Sequence, residues 1–573
     1  MSLVNTFFPR DDTTEAWYRA YSVYQSLQHP SRNQWVKTRE YIISSIAYSV
    51  GLANAWRFAF VAYTSGSGGM ILPYIILIFT IGVPLLTLES LLGQFTASSP
   101  VSAFNFSVIS RGIGVSMGAV SWLLSIYSIM FIVYPIKYLF LTLEVYLPWT
   151  VCPTDIKNIC ISITEFSTFN LSSCPNVTTE VDCPLVAANV FWHNKVLGTK
   201  EMTSVRYRSV LTGAINDEMG PSQLASVSTL GAINWDKFIL LAFSWGLIFL
   251  CTVSGVRGTS RVSSVSFAYS ICSLLILLLA MSFQPGAVEG LKFFLYRIWI
   301  NLIWTEAGIQ AIMTFGLCTG GQILLSSFNK FDNAVHKHIA LIASCCFVYT
   351  MITATTLFCA IGNLAYIMKV KVEEVSICLY LWKFLVIIQE ETCDDFLNVV
   401  TSVIHEEIER LKNHYSKIRL AICVVSFAIG ISCVTQGGIY VVEFLNECVP
   451  HITLSGIGLC ELVFLACSYG VTRFFLDINF MLNFSPAAPL AVVWILFCPI
   501  VFLILFTVDI YDLFTSSLYP PAEKTMSRVL SFLILLPIPL GIVYAVIRHA
   551  TKRSWKDSLH PDTNWGPRDT PVR

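Results

Sequence analysis

Along this chain, runs of about twenty apolar residues alternate with short polar segments, each run long enough to cross roughly 30 Å of hydrocarbon. The pattern predicts twelve spans, at about 41–62, 70–95, 117–146, 236–254, 263–284, 303–327, 339–367, 376–408, 418–436, 452–479, 488–514 and 527–549. An even number places both ends of the chain on one side of the membrane. The architecture expected is an all-α polytopic membrane protein.

Two of the spans are interrupted. Residues 47–58, AYSVGLANAWRF, set small residues Ser49, Gly51 and Ala53 and the amide Asn54 inside an apolar segment. Residues 310–321, QAIMTFGLCTGG, set Gly316, Thr319, Gly320 and Gly321 inside another. Glycine weakens a helix by about 1 kcal/mol relative to alanine. In hydrocarbon, the carbonyls so freed must be put to use. Breaks in the first and sixth spans, the first members of two sets of five, predict a 5+5 inverted repeat with a binding site at membrane depth. For either helix alone, the alternative is that small residues merely allow close helix packing.

Composition agrees with the pattern: of 573 residues, 55% are apolar or aromatic and 13% charged, where a soluble domain carries about a quarter charged. Net charge is zero, so a nucleic-acid partner is not expected. No cleavable signal sequence is visible, and the first span is expected to direct insertion. The basic residues Arg32, Lys37, Arg39, Arg257, Arg261, Lys330, Lys337, Arg410, Lys412, Lys417, Arg419, Lys552, Arg553 and Lys556 fall in alternate short loops and flank the ends. Both termini are therefore expected in the cytoplasm. The expected organisation is a cytoplasmic segment 1–40, a transporter domain 41–549 and a cytoplasmic tail 550–573.

The polar loop 147–234 then lies outside the cell. It holds Cys152, Cys160, Cys174 and Cys183, and sequons at Asn170 and Asn176 that are expected to carry sugar. Four cysteines allow three pairings. The sequons at Asn105 and Asn483 are expected on the cytoplasmic side, without sugar. Most of the other cysteines, such as Cys272, Cys345, Cys346 and Cys423, sit in apolar runs as small hydrophobes.

Span eight is unusual, because Gln389-Glu390-Glu391-Thr392-Cys393-Asp394-Asp395 interrupts it. A charge at the bilayer centre costs about 2.5–3.5 kcal/mol on insertion scales. Either these acids belong to a cation site, or the stretch lies in an extracellular loop or shallow vestibule with the span shortened. No nucleophile, base and orienting group converge at recognisable spacing, so the protein is not expected to be an enzyme. The histidines His336 and His338 read as a solvated loop face.

Several motifs in order carry a family resemblance: VGLANAWRF, GSGGMILPY at 66–74, GVPLLTLESLLGQF at 82–95, LPW-x-x-C at 147–152, SSFNKFDN at 326–333, TQGGIYV at 435–441, SYGVTRF at 468–474 and WGP at 565–567. The chain resembles the neurotransmitter:sodium symporter family, the sodium- and chloride-dependent neurotransmitter and amino-acid transporters. The pattern is divergent and lies nearest the GABA, glycine and amino-acid carriers. That resemblance implies a leucine-transporter-like fold of twelve helices. It also implies import of an amino acid or amino-acid-like solute across the plasma membrane with sodium and chloride, and no other cofactor. The expected partners are a small-molecule substrate and the lipid bilayer.

Carried over from the family, the first sodium position falls on Ser49, Asn54, Thr314 and Cys346, and the second on Ala47, Val50, Ile387, Glu390 and Glu391. The two adjacent carboxylates of the second repel each other, which makes one a proton-carrier candidate. Chloride falls on Tyr74, Gln310, Thr314 and Thr350, all hydrogen-bond donors. Substrate contacts fall on Tyr48, Gly51, Leu52, Leu124, Ser128, Met313, Gly316 and Thr319. The outer gate becomes Arg57 opposite Asn446, with Glu443 and Glu447 nearby. The inner gate becomes Arg32 and Trp35 against His405, next to Glu406. The family disulfide corresponds to Cys152 and Cys160.

Five positions depart from the family pattern: Ser128 replaces a tyrosine, Cys346 an asparagine, Asn446 an aspartate, Met313 the gating aromatic of span six and His405 an aspartate. Gly51 stands where monoamine carriers have aspartate, which points to a solute bearing its own carboxylate. The departures motivate a second reading, a relative without transport activity that binds, senses or serves as a partner subunit. A channel lacks any filter or charged-ring motif here.

Overall fold

Helices form wherever the apolar runs are long, and they end where the sequence places small residues or prolines. The computed structural model describes residues 34–51, 53–64, 67–143, 147–152, 160–162, 185–198, 230–253, 255–296, 303–369, 371–372, 392–408, 414–483, 488–515, 521–552 and 565–566. Eight helices within them are long and apolar enough to cross a membrane, nine when one bent pair counts as a span.

The first span is not continuous. Helix α1 (Thr38–Ser49) stops, and after Gly51 the chain resumes as a π-helical turn, Ala53–Arg57, running into α2 (Phe58–Thr64). Span two, Gly68–Thr96, ends in α3 (Val83–Thr96). Span three joins α4 (Arg111–Ser128) to α5 (Met130–Leu141). The loop that follows contributes a two-residue parallel pair, β1 (Cys160–Ile161) with β2 (Leu185–Val186), and Cys152 is disulfide-bonded. Asn170, Asn176, Cys174 and Cys183 lie outside the described residues.

Next come α6 (Trp235–Thr252), α7 (Val256–Ser282) and the short α8 (Ala287–Tyr296). The sixth span breaks as the first does, into α9 (Ile303–Thr314) and α10 (Gly321–Ser326). Helix α11 (Val335–Met368) is the longest. Helix α12 (Thr392–Glu407) starts inside the acidic stretch, and 376–391 lie outside the described residues. Helix α13 (Tyr415–Gly430) leads to α14 (Gly438–Cys448) and α15 (Pro450–Phe464).

The tenth span differs from its expected bounds of 452–479. It runs Gly438–Tyr469, because Pro450 enters at the first turn of α15, where a missing N–H costs nothing, and continues the axis. The chain turns at Gly470, at φ 92°, into a separate α16 (Val471–Leu482). Then come α17 (Cys498–Thr515), α18 (Pro521–Leu535) and α19 (Pro537–Lys552), the last two bent by 44° at the proline.

Burial separates an inner bundle from an outer ring. The apolar window of Arg111–Leu141 is 72% buried, that of Gly258–Ser282 only 17%. Outer helices present Leu250, Val265, Leu279, Ile504 and Leu533 outward, as a lipid-facing surface does. The interrupted pair sits inside, packed by α3, α4, α11 and α15.

Candidate functional site

The two breaks face each other. At the first, Val50 caps α1 with ψ 70°, and Asn54 and Ala55 turn back to the Gly51 carbonyl. At the second, Gly316, Cys318 and Gly320 take φ of 61°, 62° and 79°, alternate left-handed positions within the stretch 315–320 that separates the two helix segments. Bonds then cross between the breaks. Asn54 Nδ2 donates to the Ser49 carbonyl (2.8 Å) and the Thr314 carbonyl (3.0 Å), and Gln310 Nε2 donates to the Ala53 carbonyl (2.9 Å). The Tyr48 hydroxyl meets the Gly316 carbonyl and the Thr319 hydroxyl.

Between them lies a cavity of ≈ 40 Å³, room for about three water molecules. Tyr48, Gly51, Leu124, Ser128, Met313, Gly316 and Thr319 line it, with Tyr127, Phe396, Asn446 and Leu454. Seven of the eight residues expected around the solute thus share one wall, and Leu52 lies outside the described residues. Ser128 Oγ donates to the Ser125 carbonyl, so it is held in its own helix. Backbone packing here is close. A Cβ at Gly316 would come 2.6 Å from the Tyr48 ring, and one at Gly321 2.0 Å from it.

Three of the four residues expected at the first sodium position meet at this junction, and the Ser49 and Thr314 oxygens are already hydrogen-bonded. Ser49 Oγ donates to the Ser45 carbonyl (2.8 Å) and accepts from Gln322 Nε2 (2.9 Å). Asn54 Oδ1 is buried without a hydrogen-bond partner among the described residues. The fourth, Cys346, is fully buried with its thiol in reach of the Ser49 hydroxyl, and sulfur suits a hard cation poorly. Of the second position, Ala47 and Val50 are buried at the end of α1, while Ile387, Glu390 and Glu391 lie outside the described residues.

The expected anion residues also cluster. Tyr74 and Thr314 hydroxyls are 2.7 Å apart, and Thr350 is a second side-chain hydrogen-bond neighbour of Tyr74. Gln310 completes the group, and all four are fully buried. The Thr314 and Thr350 hydroxyls donate to the Gln310 and Cys346 carbonyls, and the Gln310 amide to Ala53, so the hydroxyls would have to rotate to face an anion.

Arg57, which also lines the cavity, finds its charge partner elsewhere than at residue 446. Its guanidinium pairs with Glu306 (3.1 Å) and meets Gln310 Oε1 (3.1 Å) and His451 Nε2 (3.2 Å). His451 Nδ1 in turn lies 3.5 Å from Asp509, which accepts from the Ser455 hydroxyl. This chain links the first break to α9, α15 and α17. Asn446 lines the cavity beside it. On the other side, Trp35 Nε1 donates to the Leu325 carbonyl and the ring packs on Phe328. His405 packs edge-on to Tyr415, while Glu406 accepts the Ser99 N–H. Arg32 lies outside the described residues.

Sequence reasoning missed Glu306, His451, Asp509, Gln322, Glu89 and Glu461. Glu89 of α3 accepts the Cys318 N–H (2.7 Å), one of the donors that the second break frees. Both Glu461 oxygens are buried without a partner among the described residues, close to Glu89 and Cys318. An acid inside an apolar span is itself a signal, and Glu89 in GVPLLTLESLLGQF and Glu461 in GLCELVF carried it.

A profile of the sodium:neurotransmitter symporter family matches residues 32–378 and 376–549. The chain belongs to the sodium:neurotransmitter symporter family. It is 26% identical to a sodium- and chloride-dependent glycine transporter 2 of Xenopus laevis, over 94% of this chain and 73% of that protein. It is 26% identical to a sodium- and chloride-dependent GABA transporter 2 of Rattus norvegicus, over 90% and 86%. A sodium-dependent nutrient amino acid transporter 1 of Drosophila grimshawi is 27% identical over 95% and 88%. As a member of this symporter family with eight or nine long apolar helices, the chain is a polytopic membrane protein.

Proposed function

We propose that this protein is a secondary active symporter of the plasma membrane, importing a small amino acid or amino-acid-like solute with sodium and chloride. The observation that carries the reading is the pair of facing helix breaks, whose carbonyls and polar side chains surround one small cavity. Twelve spans in a 5+5 repeat, 41–549, with both termini cytoplasmic and 147–234 outside, would place that cavity near the midplane. Gly51 leaves room for the solute's own carboxylate, Tyr48 and Thr319 supply polar contacts, and Leu124 and Met313 supply apolar ones. Tyr74, Gln310, Thr314 and Thr350 would hold chloride. Arg57 with Glu306 and His451 would close the outer side, and Trp35 the inner side. Members of the family named for glycine, GABA and nutrient amino acids support the solute class.

The test is uptake of a radiolabelled amino-acid panel in oocytes, with sodium replaced by choline and chloride by gluconate. Accumulation of a small amino acid that needs both ions is the expected result. Dopamine or serotonin outcompeting every amino acid would overturn the solute class. Equal uptake by injected and control oocytes for every solute would favour a relative that binds without transporting, a reading that Cys346 and Ser128 already motivate.

A further inference from the structure

At the first cation position, four oxygens that could face an ion already accept amide hydrogens. Asn54 Nδ2 takes the Ser49 and Thr314 carbonyls, at 2.8 and 3.0 Å. Gln322 Nε2 takes the Ser49 hydroxyl oxygen and the Phe315 carbonyl, at 2.9 and 3.0 Å. Gln322 is itself fixed, because its Oε1 accepts from Ser45 Oγ at 2.7 Å. All of these side chains are buried. The remaining residue of the position, Cys346, presents a thiol.

A carboxamide N–H and a cation compete for the same lone pairs, and in a dry site the donor already in place costs nothing further to keep. Among the described residues, Asn54 Oδ1 has no hydrogen-bond partner. Turning that carboxamide over would aim its oxygen at two carbonyl oxygens, an arrangement stable only with a cation between them. Gln322 acts against that rearrangement, since it holds Ser49 to the end of the second break through groups 273 residues apart in sequence.

We propose that Gln322, together with Asn54, replaces the first cation in this protein. The carboxamides join the two interrupted helices where an ion would otherwise do so, and native protein binds at most one sodium ion. Gln322 is thus a positioning residue for ion coupling. The proposal rests on reading Ser49, Asn54 and Thr314 as a cation position, but not on transport being active.

The experiment is therefore an equilibrium one on full-length protein purified in detergent. Thermal stability is followed against sodium concentration, with choline chloride holding ionic strength and chloride constant. The slope of stability on the logarithm of sodium concentration counts the ions held by the native state. The expected slope for the unaltered protein is one ion or none. Cys346→Asn with Gln322→Leu returns an oxygen and frees Phe315 and Ser49, and its slope is expected to rise by one. A slope of two in the unaltered protein, or a double variant that folds and gains no ion, would overturn the proposal. Should the double variant fail to fold, the unaltered slope still decides, with Cys346→Asn alone as the milder companion. Loss of uptake with a slope of one would count against the transport reading and leave this proposal standing.

Discussion

The two ends of the helix junction hold their polar groups differently. At the proposed anion end, the Tyr74, Thr314 and Thr350 hydroxyls are buried with Gln310, and no carboxylate stands among them. At the proposed cation end, Cys346 stands where the family pattern has an asparagine, and the Asn54 and Gln322 amides donate to oxygens of Ser49, Thr314 and Phe315. Both ends are equally dry, so burial does not distinguish them. The kind of donor does: hydroxyls, which can rotate toward an anion, stand at one end, and amides fixed on protein oxygens stand at the other.

The sharpest way to break the comparison is to fill the space between the two ends. Gly316→Val puts a Cβ 2.6 Å from the Tyr48 ring, at a φ of 61° that β-branched residues avoid. Uptake is expected to fall by about a hundredfold or more with surface expression retained, for a loss near 3 kcal/mol. Uptake within a few-fold of normal would show that the breaks do not enclose the solute.

Arg57→Ala removes the cation of a partly buried pair and leaves Glu306 with His451 at 4.0 Å, a change that costs about 1–3 kcal/mol. The thermal midpoint of the purified protein should drop by several degrees, and Arg57→Ala with Glu306→Gln should recover part of it. An unaltered midpoint in the single variant would disprove the pairing.

Tyr74→Phe removes one donor from the anion end alone. A hydrogen bond to a charged group contributes about 1.5–3 kcal/mol, so half-saturating chloride should rise roughly tenfold or more while the sodium slope stays as it was. Equal shifts for both ions would erase the distinction drawn between the ends. His451→Ala has the smallest expected effect. It removes one partner of Arg57 and releases Asp509, and a few-fold faster escape of preloaded solute is the expected readout, with initial uptake little altered.

What the sequence made legible was local. Gly51, Gly316 and Gly320 announced both breaks, since glycine in an apolar helix has a conformational meaning within its own turn. The cavity-lining residues followed from the family motifs around them. The partners of Arg57 did not follow, because Glu306 lies 249 residues away and His451 394, and nothing in either segment names the other. Gln322 escaped for the same reason: it stands one residue beyond the glycines and reads as an ordinary helix former until Ser45 and Ser49 are seen opposite it. The tenth span, expected at 452–479, begins earlier, at Gly438, because Pro450 sits where a proline does not stop the helix axis.

Solute accumulation in proteoliposomes under an inward sodium gradient with chloride present tests the central claim most directly. Protein with its native junction is expected to concentrate a small amino acid inside, and Gly316→Val protein to do no better than empty vesicles. Equal accumulation by the two proteins, or none by the native one for any amino acid, would contradict the account.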